Sequence, residues 1–229
     1  MSLENITIQG QAEPKRRYDD ACGTAHALEL IGDRWTLLVL REMMLGPRRF
    51  SELRADLPGL SANVLTRRLA ELEGRGLIVR KRLPPPASVQ VYEATEWGLE
   101  AEPIIQALGR WAARSPRHDP TLPLSAVSIM LSFRTMISAE RAAGFEGRIG
   151  FRFGEESYLA RVADGRIEVA RDDLADADAV ITAEPTALAA VVYGGAPLDV
   201  IAIEGDRPLA ERFLGLFVLP PKASAANQA

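Results

Sequence analysis

Asn63, Arg67 and Ala70 share one side of a segment over 62–75 that reads as an amphipathic helix, with Thr66 on the flank, and this set includes side chains that recognise base edges. A guanidinium makes paired hydrogen bonds to guanine, and an asparagine amide does the same for adenine. Leu65, Leu69 and Leu72 recur at i, i+4 and i+7 and mark the opposite, core-facing side. Ser61 opens the helix as its cap and, with Arg68, joins the candidate contact set. A second basic group, Arg80, Lys81 and Arg82, follows on one arm of a β-ribbon whose tip is Pro84-Pro85-Pro86-Ala87-Ser88. Such cations suit phosphate oxygens. In isolation a polar helix face is more often merely solvated, and a charged, proline-tipped strand often protects a sheet edge. The combination here tips the reading towards double-stranded DNA.

The elements around these residues support it. A short helix to Asp56, capped by Ser51, is followed by the turn Leu57-Pro58-Gly59-Leu60 and then by the candidate reading helix. Helix, turn, helix and ribbon in that order are the outline of a winged helix-turn-helix, which inserts its second helix into the major groove. Upstream, helices are expected over 20–31 and 34–45. Downstream, a helix over 95–113 carries Trp97, Ala101, Ile104, Leu108 and Trp111 at alternating spacings of four and three, with Pro103 as a kink or as the true start. That stripe suits pairing with a second copy.

Net charge is −4 over 229 residues, at first sight unfavourable to nucleic acid. Its distribution is uneven. Residues 1–115 carry 16 Lys+Arg against 15 Asp+Glu, and the remainder 11 against 16. The window 48–82 has nine basic residues against four acidic ones, a local excess of +5. Local excess matters more than the total for phosphate binding. No apolar run is long enough to span a bilayer, residues 1–18 contain no signal-like segment, and one cysteine excludes an internal disulfide, so a cytoplasmic protein is expected.

Several segments resemble the HxlR family of bacterial transcriptional regulators. They are Ile31-Gly32-Asp33-Arg34-Trp35-Thr36-Leu37-Leu38, Gly46-Pro47-Arg48-Arg49-Phe50-Ser51-Glu52-Leu53 and Leu65-Thr66-Arg67-Arg68-Leu69-Ala70-Glu71-Leu72. Gly76-Leu77-Ile78, Tyr92-Glu93-Ala94-Thr95-Glu96-Trp97-Gly98 and Leu108-Gly109-Arg110-Trp111 extend the likeness over about 18–114. The resemblance implies a homodimer formed through the terminal helices on a pseudo-palindromic operator. It also aligns Cys22 with a cysteine that is a redox sensor in some members; here Gly23 follows in place of proline, and burial is the favoured reading.

Residues 115–123 hold three prolines in nine and read as a linker between two separate folding units. The domains are expected at 1–115 and 124–219, with the linker at 116–123 and a frayed tail over 220–229. The second half reads as an apolar helix over 124–137, then strands over 148–153, 157–163, 166–171 and 179–183. A helix over 185–193, a strand over 201–204 and a last helix through Phe217 follow. Together the halves make an α+β chain. With Asp178-Ala179-Val180-Ile181-Thr182 and Glu204-Gly205-Asp206, this order resembles the sterol carrier protein 2 fold, helices over a five-stranded sheet. That resemblance implies an apolar tunnel for a small ligand. Met130, Phe133, Phe151, Tyr158, Tyr193, Phe213 and Phe217 are candidate lining residues, with plain core packing equally open for each.

Catalytic patterns are absent from the sequence. His26 and His118 lack partners at metal-ligand spacing, and there is no phosphate-cradling glycine loop. Asp172, Asp173, Asp176 and Asp178 lack the glycine and closing glutamate of a calcium loop. No cofactor, metal or enzymatic activity is expected. The reading is a dimeric transcriptional regulator whose second half senses an apolar ligand or extends the dimer. The alternative is a lipid or acyl carrier that keeps the first half for dimerisation; a third is an accessory domain of an enzyme.

Overall fold

The structure is a computed structural model and describes residues 18–224. The expectations for 1–17 and for 225–229 lie outside the described residues. The first half is α1 (Gly23–Ile31), α2 (Thr36–Arg41), α3 (Phe50–Asp56), α4 (Ala62–Gly74), β1 (Ile78–Arg82), β2 (Gln90–Ala94), α5 (Glu96–Leu99) and α6 (Glu102–Ala113). β1 and β2 form an antiparallel two-stranded ribbon, with Arg80 opposite Tyr92. Three details depart from the sequence reading. The helix expected over 34–45 is regular only in α2. Ser51 lies inside α3, whose cap is Arg49, because the Glu52 carboxylate already accepts from the Arg49 backbone N–H at 2.8 Å. Pro103 marks a true start: α5 and α6 are separate, and proline opens α6, where its missing N–H costs nothing.

The second half contains α7 (Ala126–Met136), α8 (Ala139–Ala142), β3 (Gly147–Phe153), β4 (Glu156–Ala163), β5 (Arg166–Arg171), β6 (Ala179–Thr182), α9 (Pro185–Gly194), a 3-10 turn (Leu198–Val200), β7 (Ala202–Gly205) and α10 (Arg207–Leu214). The sheet order is β5-β4-β3-β6-β7, with β3 and β6 parallel and the other pairs antiparallel. Asp164 and Gly165, both at positive φ, make the tight turn that joins β4 to β5. α10 stops at Leu214, three residues earlier than expected, and Phe217 instead bridges to Ile137. The fold is thus mixed α+β, with a winged helix-turn-helix followed by a five-stranded sheet. Among the described residues no helix is long and apolar enough to cross a membrane.

Residues 116–123 carry no regular structure, yet the halves they join are in close contact. The buried residues of both belong to one hydrophobic cluster. Arg134 on α7 grips Glu102 on α6 through both carboxylate oxygens, at 2.6 and 2.7 Å. The Ser125 hydroxyl, which also caps α7, donates to the buried Glu42 at 2.9 Å. The Lys222 ammonium donates to the carbonyls of Ala113 and Ser115 at 3.0 and 3.1 Å, and the Ala223 N–H donates to Arg114 O at 2.8 Å. The start of the tail is therefore docked on the end of α6, where cations suit the carbonyl-rich helix terminus.

Candidate nucleic-acid interface

α4 is held by its apolar side. Leu65, Leu69 and Leu72 are fully buried, while Asn63, Thr66, Arg67 and Ala70 are exposed on the other side. The Ser61 hydroxyl caps the helix by accepting from the Val64 N–H at 3.3 Å. It therefore satisfies backbone at the helix start while staying exposed. Thr66 donates to the Ala62 carbonyl at 2.9 Å, so its hydroxyl is engaged within the helix itself. The Arg67 guanidinium is half exposed and steadied by Glu71 at 3.0 Å, one helical turn away. That leaves a guanidinium standing off the surface at the centre of the helix.

Arg68 departs from the expectation. It is nearly buried and forms ion pairs with Asp33 at 2.6 Å and with Glu71 at 2.5 Å. Position 68 follows the leucine stripe at 65, 69 and 72, so its side chain points inward and ties α4 to the turn before α2. Arg48 is likewise internal, only 1% exposed. Two of the nine basic residues in the 48–82 window thus serve the interior, which composition cannot reveal. Arg49 and Arg54 on the α3 side are exposed and add cations that the motif reading passed over.

On the ribbon, Arg80, Lys81 and Arg82 are exposed and surround, with Ser88 and Gln90, a surface hollow of about 420 Å³. Arg80 faces Glu73 on α4 at 3.6 Å and Lys81 faces Glu93 at 2.7 Å. Arg82 donates to the Ser88 carbonyl at 3.3 Å, bracing the tip. These links are solvent-exposed, where ion pairs contribute about 0–1 kcal/mol.

Trp97, Ile104 and Leu108 are nearly half exposed and Trp111 is 74% exposed, an unusual concentration of large apolar groups on one surface. Cys22 is exposed as well, contrary to the expectation of burial. It is the cap residue of α1, a helix with no buried residue to draw it inward. Hydrogen bonds from the Thr24 backbone and hydroxyl, then from the Ala25 backbone, hold its thiol below the usual range. A maleimide reagent should therefore label Cys22 stoichiometrically in the folded protein; labelling only after denaturation would contradict this placement.

The other candidate residues lie in the second half. Met130, Phe133, Phe151 and Phe213 are fully buried and Phe217 is 3% exposed. The Phe133 ring lies 4.3 Å from Phe217, 5.6 Å from Phe151 and 5.7 Å from Phe213 between centroids, so these rings are one another's neighbours. Tyr158 pairs with Phe151 across β3 and β4, lies 6.1 Å from the Phe153 ring and donates its phenol to Glu156. The Tyr193 hydroxyl meets Ser132 at 2.9 Å. The four aspartates form a solvated turn, with Asp178 engaged by Arg148 at 3.0 Å.

Residues 30–119 match the HxlR-like helix-turn-helix family. The uncharacterised HTH-type transcriptional regulator YkvN of Bacillus subtilis is 39% identical over 94 residues, which cover 40% of this chain and 77% of YkvN. This chain belongs to the HxlR-like helix-turn-helix family. A regulator from Synechocystis, sll1512, is 36% identical over 100 residues, covering 44% of this chain and 74% of its own. YodB of Bacillus subtilis, an HTH-type transcriptional regulator, is 35% identical over 86 residues, 38% of this chain and 77% of YodB. The solved structure of reduced YodB covers 43% of this chain and 98% of its own, at 32% identity and a TM-score of 0.38. The matched segment contains α4, the ribbon and α6, so the chain is a transcriptional regulator of the helix-turn-helix type.

Proposed function

We propose that this chain is a homodimeric regulator that reads a pseudo-palindromic operator. α4 enters the major groove with Asn63, Thr66 and Arg67 towards the bases, while Ser61 and the ribbon cations Arg80, Lys81 and Arg82 hold phosphates. The observation that carries this reading is the two-sided build of α4, buried through its leucines and open through Asn63 and Arg67, beside a basic ribbon. Selecting duplexes from a random pool and measuring binding against salt tests it. A shared inverted-repeat motif and a steep salt slope are expected. Binding that is indifferent to sequence, or insensitive to salt, would reject it and would favour the lipid-carrier alternative.

The α5–α6 stripe is the proposed dimer surface. Trp111→Glu should yield a monomer by sedimentation, since so exposed a side chain contributes little to the folded protomer. Operator affinity should fall by about 10²-fold, because two half-sites are no longer held at high effective concentration. A mutant that remains dimeric would remove this surface from the proposal.

A small apolar ligand of the second half is the proposed modulator. It would enter by parting the rings of Phe133, Phe151, Phe213 and Phe217, with Met130 and Tyr193 as further candidate lining residues. Such a ligand should raise the melting temperature by binding the native state alone. A panel of apolar compounds that shifts neither melting nor operator affinity would remove the ligand from the proposal.

A further inference from the structure

The two halves meet at Arg48, which touches three elements at once. Its backbone N–H and C=O pair with Tyr92 of the ribbon at 2.8 Å each. One terminal nitrogen donates to Asp56, the last residue of α3, and the other to Glu156 on β4 of the second half at 2.7 Å. Glu156 also accepts from Tyr158 at 2.5 Å and from Arg171 on β5 at 2.8 Å. Arg171 closes the circuit by donating to the Leu45 carbonyl at 3.1 Å, just before Arg48, while its guanidinium lies 4.9 Å above the Tyr158 ring. Burial alone would raise the Glu156 carboxyl, but hydrogen bonds from Arg48 and Tyr158, with the charges of Arg48 and Arg171, hold it below the usual range. Burial pushes Asp56 up to about 6 despite Arg48, with Glu42, Glu156 and Glu52 adding to the rise. Glu52 adds a looser ion pair to the same guanidinium at 3.6 Å; of the two carboxylates hydrogen-bonded to it, Glu156 is therefore the firmer counter-charge.

We propose that Glu156 is a positioning residue for DNA recognition: through Arg48 it lets the five-stranded sheet fix the ribbon against α3, and so sets operator affinity. The proposal rests on the DNA-binding reading above. It follows from connectivity. Glu156 lies on the far half of the chain, but its guanidinium partner is bonded by backbone to the ribbon and by side chain to α3, the helix that precedes α4. A change of state in the sheet, whatever its source, has this polar path to the DNA-reading unit. Such a junction is strict in geometry, because a buried guanidinium that loses one partner is left with an unmatched charge.

The test uses the full-length protein at neutral pH, where Asp56 is ionised. Glu156→Gln keeps the shape but removes the charge. It should weaken binding to the selected operator by about tenfold, within the range of coupling between linked sites, and weaken a random duplex by less, because a loosened ribbon costs phosphate contacts on both but register on the operator alone. The loss should vanish in an Arg48→Met background, because the proposed route runs through Arg48 and not through Arg171 and the Leu45 carbonyl. Hydrogen exchange supplies a readout independent of DNA: the Arg48 and Tyr92 amides should exchange about tenfold faster in Glu156→Gln, while α9 stays unchanged. Arg48→Lys keeps the charge but cannot bridge both carboxylates, and should reproduce both effects if Glu156→Gln does not fold. The proposal is overturned by unchanged exchange at Arg48 and Tyr92. It is equally overturned by equal losses on operator and random duplex, or by a Glu156→Gln loss that persists with Met at position 48. If the parent binds no duplex selectively while exchange responds as expected, the DNA-binding reading fails and the mechanical link stands without it.

Discussion

Phe133→Ala is expected to lower the unfolding free energy by about 3–5 kcal/mol, the usual cost of deleting a fully enclosed phenyl ring. Phe133 has no exposed surface and stands against Phe151, Phe213 and Phe217, with centroids 4.3–5.7 Å away. Its loss removes apolar burial and leaves a void that neighbouring rings fill only in part. Urea unfolding monitored by circular dichroism measures the change. The same experiment bears on the proposed ligand. A loss below about 1 kcal/mol would mean that the space is slack in the parent, as a ligand chamber requires. A full loss, partly recovered by a small apolar compound, would mean that the parent is packed and that a ligand has to open it.

Arg67→Ala should weaken the selected operator by about 1–3 kcal/mol, roughly 5- to 150-fold, and broaden base preference in each half-site. Stability should change little, because the Arg67–Glu71 pair is exposed and such pairs contribute about 0–1 kcal/mol. Arg68→Ala should do the reverse. Its contacts with Asp33 and Glu71 are largely shielded from solvent, so removal should lower the melting temperature before it alters base preference. Competition binding with single-base operator variants, beside thermal melts, distinguishes the two arginines. An Arg67→Ala protein with parental affinity and preference would end the assignment of α4 as the reading helix.

The contrast between Arg67 and Arg68 shows what the sequence could and could not convey. Local periodicity located both on one helix, and the leucine repeat assigned Leu65, Leu69 and Leu72 to the core. Most elements were legible in this way, including the five strands of the second sheet and the turn at Asp164-Gly165. What failed was tertiary. Nothing local marks Arg48, Glu42 and Glu102 as members of internal contacts, because their partners Glu156, Ser125 and Arg134 lie tens of residues away. The proline-rich linker gave no sign of the contacts between the halves, because prolines mark where a chain turns, not what it then packs against. Cys22 was misjudged since α1 covers nothing, and the burial of a helix depends on neighbours that its own pattern does not name.

The tail bonded to Ala113, Arg114 and Ser115 means that the chain finishes its second half beside the place where it left the first. A module whose two ends meet can be gained by one graft after α6, with no reordering of the helices before it. A chain built in this way would differ from its shorter relatives by one insertion after α6, and the pairs Arg48–Glu156 and Glu102–Arg134 should co-vary among proteins that share it.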